Sequence, residues 1–496
     1  MCAIHADHAQ EKCHRAATVR QHGCHLAVIH SYYSRWLSIL PRESSMRRHL
    51  FALPLLLSPL AAFAAPYALD TPAHPVVSVV ERYELQSPPA LNVPYQGEFS
   101  SEFPQGFPFA PGSGLALKKI DKDGALVFWA VGDRGPNGDA PKVNAGEKQR
   151  SGKVFPTPDY VPRLAEIRVS LAERASVTAS QAISYEGKPA SGLPLPDGTT
   201  GATGEAALSD RLALLGNSPL GIDPEGVSPD KEGKLWVSDE YGPFIARIDP
   251  SSGAVLKQLA PGKGLPEVLA ARYPNRGFEG VAVAPNGKVY AIMQSTLDIN
   301  RETRHQAAFV RVVEYDPGSG ATRMFAYPID SGYKKNGDAK LGDLVAIDNT
   351  RFLTVEQGKG ADKVMRNVLY VIDLAGADDL GEKKLADGRE FEYAKAEELA
   401  GLKTVRKQRV LDLRELGWQA EKAEGLALVE GRIAVINDND FGLKAEISGA
   451  ASKDAEDGLI IDGKLQEGRY ALKANREATT LWLLHLKQPL SSFFPR

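Results

Sequence analysis

Five copies of one short pattern recur between residues 113 and 440, and they constrain the fold more than any other feature. In each copy a strand begins with an acidic or small residue, a glycine and two apolar residues, and a second strand then ends in polar or acidic residues. The copies begin at Ser113, Glu225, Glu279, Asp343 and Glu424, and in the fourth copy the glycine precedes the acid. A unit of a few strands that cannot bury its own faces and is repeated many times is typical of a β-propeller. The sequence therefore predicts an all-β propeller.

The segments between the motifs predict blades of about four strands with long loop insertions. Five repeats are visible, and residues 187–220 or the insertions leave room for one more, so we expect about six blades. The fifth repeat lacks a fourth strand near the C-terminus. The strand predicted at residues 75–85 is free to complete that blade and to close the ring. Residues 378–402, which are charged and rich in alanine, predict a helical insertion on the surface.

The N-terminal residues differ from the rest of the chain. All three cysteines and seven of the ten histidines precede residue 50. A basic stretch at residues 46–49, an apolar run at residues 50–60 and an A-x-A sequence at residues 62–64 together predict a secretory signal peptide spanning residues 46–64. The predicted location is therefore periplasmic or extracellular.

Two domain predictions follow from that signal. Residues 1–45 form an upstream extension without a structural role, because signal sequences normally begin the chain. Residues 65–496 form a single propeller domain. A transmembrane span is the alternative for the apolar run, but the run is short and contains Pro54 and Pro59. We therefore expect no integral membrane segment after cleavage.

The charge of the chain argues against two kinds of partner. The first 64 residues carry seven Lys or Arg and three Asp or Glu, so their removal changes the net charge from −3 to −7. No basic run of the kind that binds nucleic acid or an anionic membrane is present. We expect a monomer that acts on a small-molecule ester or phosphoester.

Several longer motifs resemble those of the phytase-like (esterase-like activity of phytase) family. They are GIDPEG at 221–226, WVSDEYGPF at 236–244, NRGFEG at 275–280, GDRG at 132–135, FPTPDYVP at 155–162 and NDNDF at 437–441. The resemblance covers about residues 105–445. It implies a secreted or periplasmic propeller with a distant similarity to calcium-dependent propeller phytases, which have six blades.

Equivalent positions of a propeller converge on one central channel, so the acids of the repeats predict a calcium site. Calcium takes six to eight oxygen ligands, largely from carboxylates and carbonyl groups. The candidate ligands are Glu225, Asp239, Glu240, Glu279, Asp343, Glu356, Glu424, Asp438 and Asp440. The alternative is that these acids accept hydrogen bonds from strand N–H groups and hold adjacent blades together. Gln294 and Gln357, at positions where acidic or basic residues are expected, argue against a site with several calcium ions.

Asp133, Arg134 and Arg276 are the candidate catalytic residues. A planar guanidinium binds two phosphate oxygens at once, so we expect Arg134 to bind a phosphate that sits on calcium while a metal-bound water attacks phosphorus. Arg276 would bind the phosphate from another blade. Alternatively, either arginine pairs with a neighbouring carboxylate of the channel.

Two other functions remain open at the level of sequence. One is a carboxylic-ester or lactone hydrolase of the gluconolactonase type, which holds a single calcium ion in a mostly uncharged pocket. The other is a propeller that binds a partner through its loops without catalysis. A serine hydrolase is disfavoured, because there is no G-x-S-x-G motif and none of His74, His305 and His485 lies next to a repeat motif.

Overall fold

The computed structural model describes residues 67–145, 148–381 and 383–494. The predicted upstream extension and signal peptide lie outside these residues. Strands dominate the described chain, in which the α-helix is the single turn Ala396–Leu399. None of the helices in this part of the chain is long and apolar enough to cross a membrane.

Five antiparallel units of four strands form the blades of a propeller, which confirms the predicted fold class, and the units of blades 1 and 5 are joined in one nine-stranded sheet. Blade 1 consists of Gly114–Ile120, Leu126–Val131, Arg163–Ser170 and Arg174–Ala182. Blade 2 consists of Pro224–Pro229, Leu235–Asp239, Phe244–Ile248 and Val255–Pro261. Blade 3 consists of Phe278–Val283, Val289–Met293, Phe309–Tyr315 and Thr322–Pro328. Blade 4 consists of Lys340–Ala346, Arg351–Lys359, Met365–Asp373 and Arg406–Asp412. Blade 5 consists of Gly425–Val429, Arg432–Ile436, Thr480–Leu486 and Val77–Gln86.

The N-terminal strand completes blade 5, as the sequence predicts. Val77–Gln86 pairs antiparallel with Thr480–Leu486, so the two ends of the described chain share one sheet. Tyr67–Asp70 adds a short antiparallel strand to the outside of Val77–Gln86. The last residues of Val77–Gln86 also pair in parallel with blade 1, at Ala175 and Ser176. The joined ends of the described chain therefore close the ring at blade 5.

The glycine of each repeat allows neighbouring inner strands to approach closely. A Cβ atom at any of these five glycines would lie between 2.3 and 3.1 Å from the backbone of the next blade. The contacts run from Gly114 to Glu225, Gly226 to Val281, Gly280 to Leu344, Gly342 to Ala423 and Gly425 back to Gly114. The last contact closes the ring. The glycines are therefore required by packing between blades, because no side chain fits in this space.

Alternating side chains fill the spaces between blades. In Leu235–Asp239, Leu235 and Val237 pack with residues of blade 1, whereas Trp236 packs with residues of blade 3. Successive side chains of a strand point to opposite faces, so one inner strand serves two cores. This explains why these strands are apolar on both faces and are bounded by polar turns.

The long insertions build smaller sheets beside the blades. A five-stranded sheet contains Gly138–Ala145, Lys148–Val154, Ala206–Leu208, Leu459–Ile461 and Lys464–Leu465. A two-stranded antiparallel sheet contains Leu443–Ser448 and Arg469–Ala474. Residues 187–220 contribute only Lys188–Pro189 and Ala206–Leu208 to sheets. The five visible repeats are therefore the five blades of the described chain, and residues 187–220 do not form a sixth.

The helical insertion expected at residues 378–402 is largely irregular. Its described residues contain a 3₁₀ turn at Phe391–Tyr393 and the short helix Ala396–Leu399. Glu392 forms an ion pair with the buried Arg311 of blade 3 at 2.7 Å, and the backbone N–H of Leu380 donates to Met324. These contacts with blade 3 override the helical propensity of the alanine-rich sequence.

Candidate functional site

Eight carboxyl groups form one acidic cluster where the first strands of the blades begin and the second strands end. They are Asp133, Asp223, Glu225, Glu240, Glu279, Glu424, Asp438 and Asp440. All of them except Asp440 are buried. Seven of the eight are site residues that the sequence predicts, and Asp223 is an addition from the structure.

β-Bulges direct two of these acids out of their strands. The register of blade 2 pairs Pro224 with Asp239 and Gly226 with Ser238, which leaves Glu225 without a partner. Glu279 is skipped in the same way in blade 3. A bulge re-aims the side chain of the extra residue, and bulges are common next to active sites. In these two repeats the acid therefore lies at a bulge that directs its carboxylate out of the strand, and the glycine that follows it allows the close contact between blades.

Two groups of carboxylates within the acidic cluster have the spacing of a metal site. Oxygens of Asp133, Asp223 and Glu225 lie within 4.8 Å of one another, and so do oxygens of Asp133, Asp438 and Asp440. Calcium–oxygen distances are about 2.3 to 2.6 Å, so oxygens on opposite sides of one ion are separated by about twice that distance. Both groups therefore match calcium in spacing and in ligand type.

Several carboxylate oxygens of the acidic cluster are buried without a hydrogen-bond donor in the described chain. They are Asp223 Oδ2, Glu279 Oε2 and Glu424 Oε2. A buried acceptor that lacks a donor costs about 1 to 3 kcal/mol, and more when it is charged. The unpaired oxygens fit a bound cation, which would supply the missing interaction.

Burial and mutual repulsion raise the pKa of most acids in the cluster. Burial, and then the charge of Glu279, raise the pKa of Glu240 to about 8. Burial and Glu424 raise the pKa of Glu279 to about 8 as well. For Asp223, burial raises the pKa to about 6, although Arg134 opposes the shift. Without a cation, the cluster therefore retains protons near neutral pH.

Gln294 holds two of these acids together. Its side-chain amide donates to Glu240 at 2.6 Å and to Glu279 at 2.7 Å. Gln294 lies at the end of the second strand of its repeat, where other repeats carry an acidic residue. An amide at this position separates two carboxylates that would otherwise repel each other directly.

Lys422 lies against the acids of blade 5. Its ammonium donates to Asp438 Oδ2 at 2.6 Å and to Asp440 Oδ1 at 2.8 Å. Burial opposes its charge, but these two carboxylates and Glu424 hold its pKa well above the usual range. Burial also opposes ionisation of Asp440, yet Lys422 holds the pKa of Asp440 below its ordinary value. The ion pair of Lys422 with Asp440 therefore remains charged at neutral pH.

A cavity of about 520 Å³ adjoins the acidic cluster, and Lys422 and Glu424 line both. Six cationic side chains line it against three acidic ones. The cations are Arg276, Lys334, Lys340, Lys359, Lys363 and Lys422, and the acids are Asp338, Glu421 and Glu424. We call this space the basic pocket. It places an excess of positive charge beside the acidic cluster.

Lys340 and Arg276 are the deeper cations of the basic pocket. Within the described residues the Lys340 ammonium has no hydrogen bond or ion pair, and burial followed by the charges of Arg276 and Lys422 lowers its pKa. Arg276 donates Nη1 to the carbonyl of Gly337 at 2.9 Å. The structure thus places one predicted catalytic residue, Arg276, in a pocket with an unpaired lysine that sequence reasoning missed.

Arg134 is buried, and its guanidinium already donates hydrogen bonds to other protein groups. Its Nη1 donates to Asn275 at 2.9 Å and to Tyr241 at 3.3 Å. Its Nε lies 3.8 Å from Asp133 and 3.7 Å from Asp223. These contacts agree with the alternative in which the arginine pairs with carboxylates of the channel. Its side chain is 3% exposed, which leaves little surface for a substrate.

Three predicted calcium ligands have other partners. Asp343 accepts backbone N–H groups from blades 1, 4 and 5. Asp239 accepts the backbone N–H of Tyr241 at 2.8 Å. Glu356 accepts hydrogen bonds from Tyr327 at 2.7 Å and from Lys407 at 2.8 Å. None of these three belongs to the two carboxylate groups described above.

Two of the residues that sequence reasoning missed lie two positions before residues that it identified. Asp223 precedes Glu225, and Lys422 precedes Glu424. Residues two apart in an extended chain share a face, so this spacing was the available signal. Lys340 carries no comparable signal, because only the assembled ring shows that it borders the acids.

One protein that is similar in sequence to this chain is described as secreted. An uncharacterized secreted protein of Arthroderma benhamiae is 26% identical over 273 residues, which cover 44% of this chain and 50% of that protein. The chain therefore spans about half the length of this curated relative.

Solved structures with similar folds have low identity to this chain. The α-L-arabinofuranosidase of Podospora anserina is 8% identical with a TM-score of 0.33, and the match covers 82% of this chain and 97% of that one. Virginiamycin B lyase of Staphylococcus aureus is 9% identical with a TM-score of 0.24, covering 75% and 94%. These likenesses carry no functional argument.

The family assignment rests on sequence. The profile described as Phytase-like, esterase-like activity of phytase, matches residues 108–441, which span four blades and the start of the fifth. This match includes every residue of the acidic cluster. It covers well over half of the chain, and the protein therefore belongs to the phytase-like family.

Proposed function

We propose that this protein is a secreted or periplasmic, calcium-dependent hydrolase of small phosphoric esters. The observation that carries the proposal is the basic pocket beside the acidic cluster, because a phosphoryl group needs cations for its oxygens next to a site that activates water. The description of the Arthroderma relative as secreted supports the proposed location.

The acidic cluster would hold calcium. Asp133, Asp223 and Glu225 supply closely spaced oxygens, and Asp223 Oδ2 lacks a donor. A bound calcium ion would neutralise part of the acidic charge and lower the pKa of water there. The high pKa values described above imply that protons compete with calcium for these carboxylates.

The residues of the basic pocket would bind and orient the substrate. Lys340 and Arg276 present cationic groups to phosphate oxygens, and Lys334, Lys359 and Lys363 extend the positive lining. Glu424 lines the same pocket, and burial raises its pKa well above the ordinary value. A carboxyl group with a raised pKa is suited to protonate the leaving alkoxide oxygen.

The same charge disfavours the lactonase alternative. A lactone or carboxylic ester is neutral and needs no array of cations, so a lactonase pocket is expected to be mostly uncharged. Six cations against three acids leave the pocket with a formal excess of three positive charges, and the Lys340 ammonium has no ion pair within the described residues. This charge pattern supports a phosphoester over a neutral ester.

Matched chromogenic esters test the proposal. The purified secreted protein is assayed with p-nitrophenyl phosphate and p-nitrophenyl acetate, each with calcium and with a chelator. Calcium-dependent cleavage of the phosphate alone is the expected result. Cleavage of the acetate alone would transfer the assignment to the lactonase type, and failure to cleave a wider panel of phosphomonoesters and phosphodiesters would overturn it.

A further inference from the structure

The ammonium of Lys422 contacts two of the three carboxylates in one of the two carboxylate groups. The oxygens of Asp133, Asp438 and Asp440 lie within 4.8 Å of one another. Lys422 Nζ is 2.6 Å from Asp438 and 2.8 Å from Asp440, with Glu424 at 3.9 Å. An ammonium at these distances supplies positive charge and hydrogen bonds to the oxygens that a metal ion would otherwise bind.

The other carboxylate group consists of Asp133, Asp223 and Glu225. The cation near it is Arg134, which does not bind its carboxylates as closely as Lys422 binds those of the first group. Arg134 Nε is 3.7 to 3.8 Å from Asp133 and Asp223 and makes no hydrogen bond. The guanidinium instead directs Nη1 to Asn275 and Tyr241. Asp223 is completely buried, and its Oδ2 has no donor in the described chain. This group therefore retains a buried carboxylate oxygen without a donor, and the Lys422 group has no such buried oxygen among the described residues.

We propose that Lys422 is a built-in cation that replaces a second metal ion, so that this chain binds one calcium at Asp133, Asp223 and Glu225 and none at Asp438 and Asp440. The inference rests on the calcium part of the proposed function. The two groups share Asp133, so two divalent ions would stand close together and repel each other. The ammonium of Lys422 binds the carboxylates of one group with a single positive charge, which is half the charge of a calcium ion. Removal of that lysine should open a second site.

Calcium binding to the Lys422→Met variant tests this inference. Methionine approximates the shape of lysine without its charge, so the carboxylates lose their counter-ion while the packing is kept. Isothermal titration of chelator-treated protein with calcium chloride should give one site in the wild-type protein and two in the variant. Adding Asp440→Asn to Lys422→Met should return the number to one.

The matched control is Lys340→Met, which removes the same charge from the same pocket without freeing a carboxylate group. Its stoichiometry should equal that of the wild-type protein. An unchanged stoichiometry in folded Lys422→Met, as judged by circular dichroism, would overturn the inference. An equal gain in Lys340→Met would also overturn it, because it would show a general charge effect.

Two single variants in the wild-type background give an independent answer if Lys422→Met does not fold. Asp440→Asn should leave the calcium stoichiometry unchanged, whereas Asp223→Asn should abolish binding. Calcium loss in Asp440→Asn contradicts the role given to Lys422. These variants are compared by calcium binding alone. A protein that binds one calcium ion but cleaves no phosphoester would contradict the proposed function without contradicting the inference about Lys422.

Discussion

Asp343 accepts a hydrogen bond from the backbone N–H of Leu426 at 3.0 Å, across the boundary between blades 4 and 5. The same carboxylate accepts from Leu115 of blade 1 at 3.3 Å and from Leu344 of its own strand at 2.8 Å. One side chain thus connects three blades through their inner strands. For Asp343 this geometry supports the alternative that the acid of the repeat fastens blades together.

Asp343→Ala should destabilise the protein without changing its calcium stoichiometry. The substitution leaves buried N–H groups of three blades without an acceptor, and each such group costs about 1 to 3 kcal/mol. We expect the free energy of unfolding to fall by at least about 3 kcal/mol in a denaturant titration. Asp316→Ala is the control, since Asp316 accepts N–H groups in an exposed turn and should cost about 1 kcal/mol or less. Equal losses in the two variants would contradict the fastening role.

Gly280→Ala should disrupt the contact between blades 3 and 4. A Cβ atom at Gly280 would lie 2.3 Å from the backbone nitrogen of Leu344, which cannot move without its whole strand. We expect a loss of at least about 3 kcal/mol of folding free energy, or insoluble protein. Gly216→Ala is the matched control, because a Cβ atom there meets open space. Thermal melts of the two variants distinguish the loss of a blade contact from a general effect of alanine.

The blades could be predicted from sequence because one local pattern encodes them. The acid–glycine pair, the apolar alternation and the turn residues recur at each blade, and closure by Val77–Gln86 followed from the strand that the fifth repeat lacked. The insertions had no repeat to constrain them. Residues 378–402 have a helical composition, yet the ion pair of Glu392 with Arg311 and other contacts to blade 3 decide their structure.

The sequence predicted which acidic residues the site contains, but not which of them interact with one another. The repeats identified seven acids of the cluster, because equivalent positions of a ring converge. Which acids share an ion, and which accept N–H groups as Asp343 does, depends on bulges and side-chain directions that a linear pattern does not encode. Arg134 shows the same limit, since its sequence position beside Asp133 gave no sign that Asn275 and Tyr241 occupy its guanidinium.

Without calcium, stability should fall as the pH rises from about 5 to 8. The pKa values of Glu240 and Glu279 are about 8 in the folded protein against an ordinary value of 4.5. The folded state therefore binds more protons than the unfolded state in this range, so each unit of pH favours unfolding. Their contribution is complete below about pH 4.5 and is lost as the pH rises through about 8.

Thermal melts in chelator at pH 5, 6, 7 and 8 measure this dependence. We expect a decrease of several degrees in melting temperature across the series, and a much smaller decrease with excess calcium, because the cation replaces the protons. A chelated protein whose melting temperature is constant or rises towards pH 8 would contradict the raised pKa values.

Gln294→Glu should produce a destabilisation that depends on pH. The substitution replaces the donor between Glu240 and Glu279 with a third carboxyl group. At pH 5 this group can carry a proton and still donate one hydrogen bond, whereas at pH 8 its ionisation adds buried negative charge. In chelator, the loss of unfolding free energy relative to wild type should therefore be larger at pH 8 than at pH 5. Gln294→Met, which cannot ionise, should show an almost constant loss.

Lys340→Met and Arg134→Met should separate substrate binding from structural support. Lys340 has no ion pair in the described chain, and burial lowers its pKa, so methionine should leave the melting temperature unchanged or raise it. A charged hydrogen bond to phosphate contributes about 1.5 to 3 kcal/mol, so kcat/KM for p-nitrophenyl phosphate should fall roughly 10- to 100-fold. Lys231→Met, in an exposed turn of blade 2, should change neither quantity.

Arg134→Met should instead lower the stability. It leaves the buried Asp223 without its nearby cation and Asn275 without a donor, which predicts a loss of about 3 to 5 kcal/mol. The measurements are a denaturant titration and a phosphate-ester rate for each variant. If Arg134→Met were as stable as wild type and lost phosphate hydrolysis, the phosphate contact would belong to Arg134. A normal rate in Lys340→Met would remove Lys340 from the substrate site.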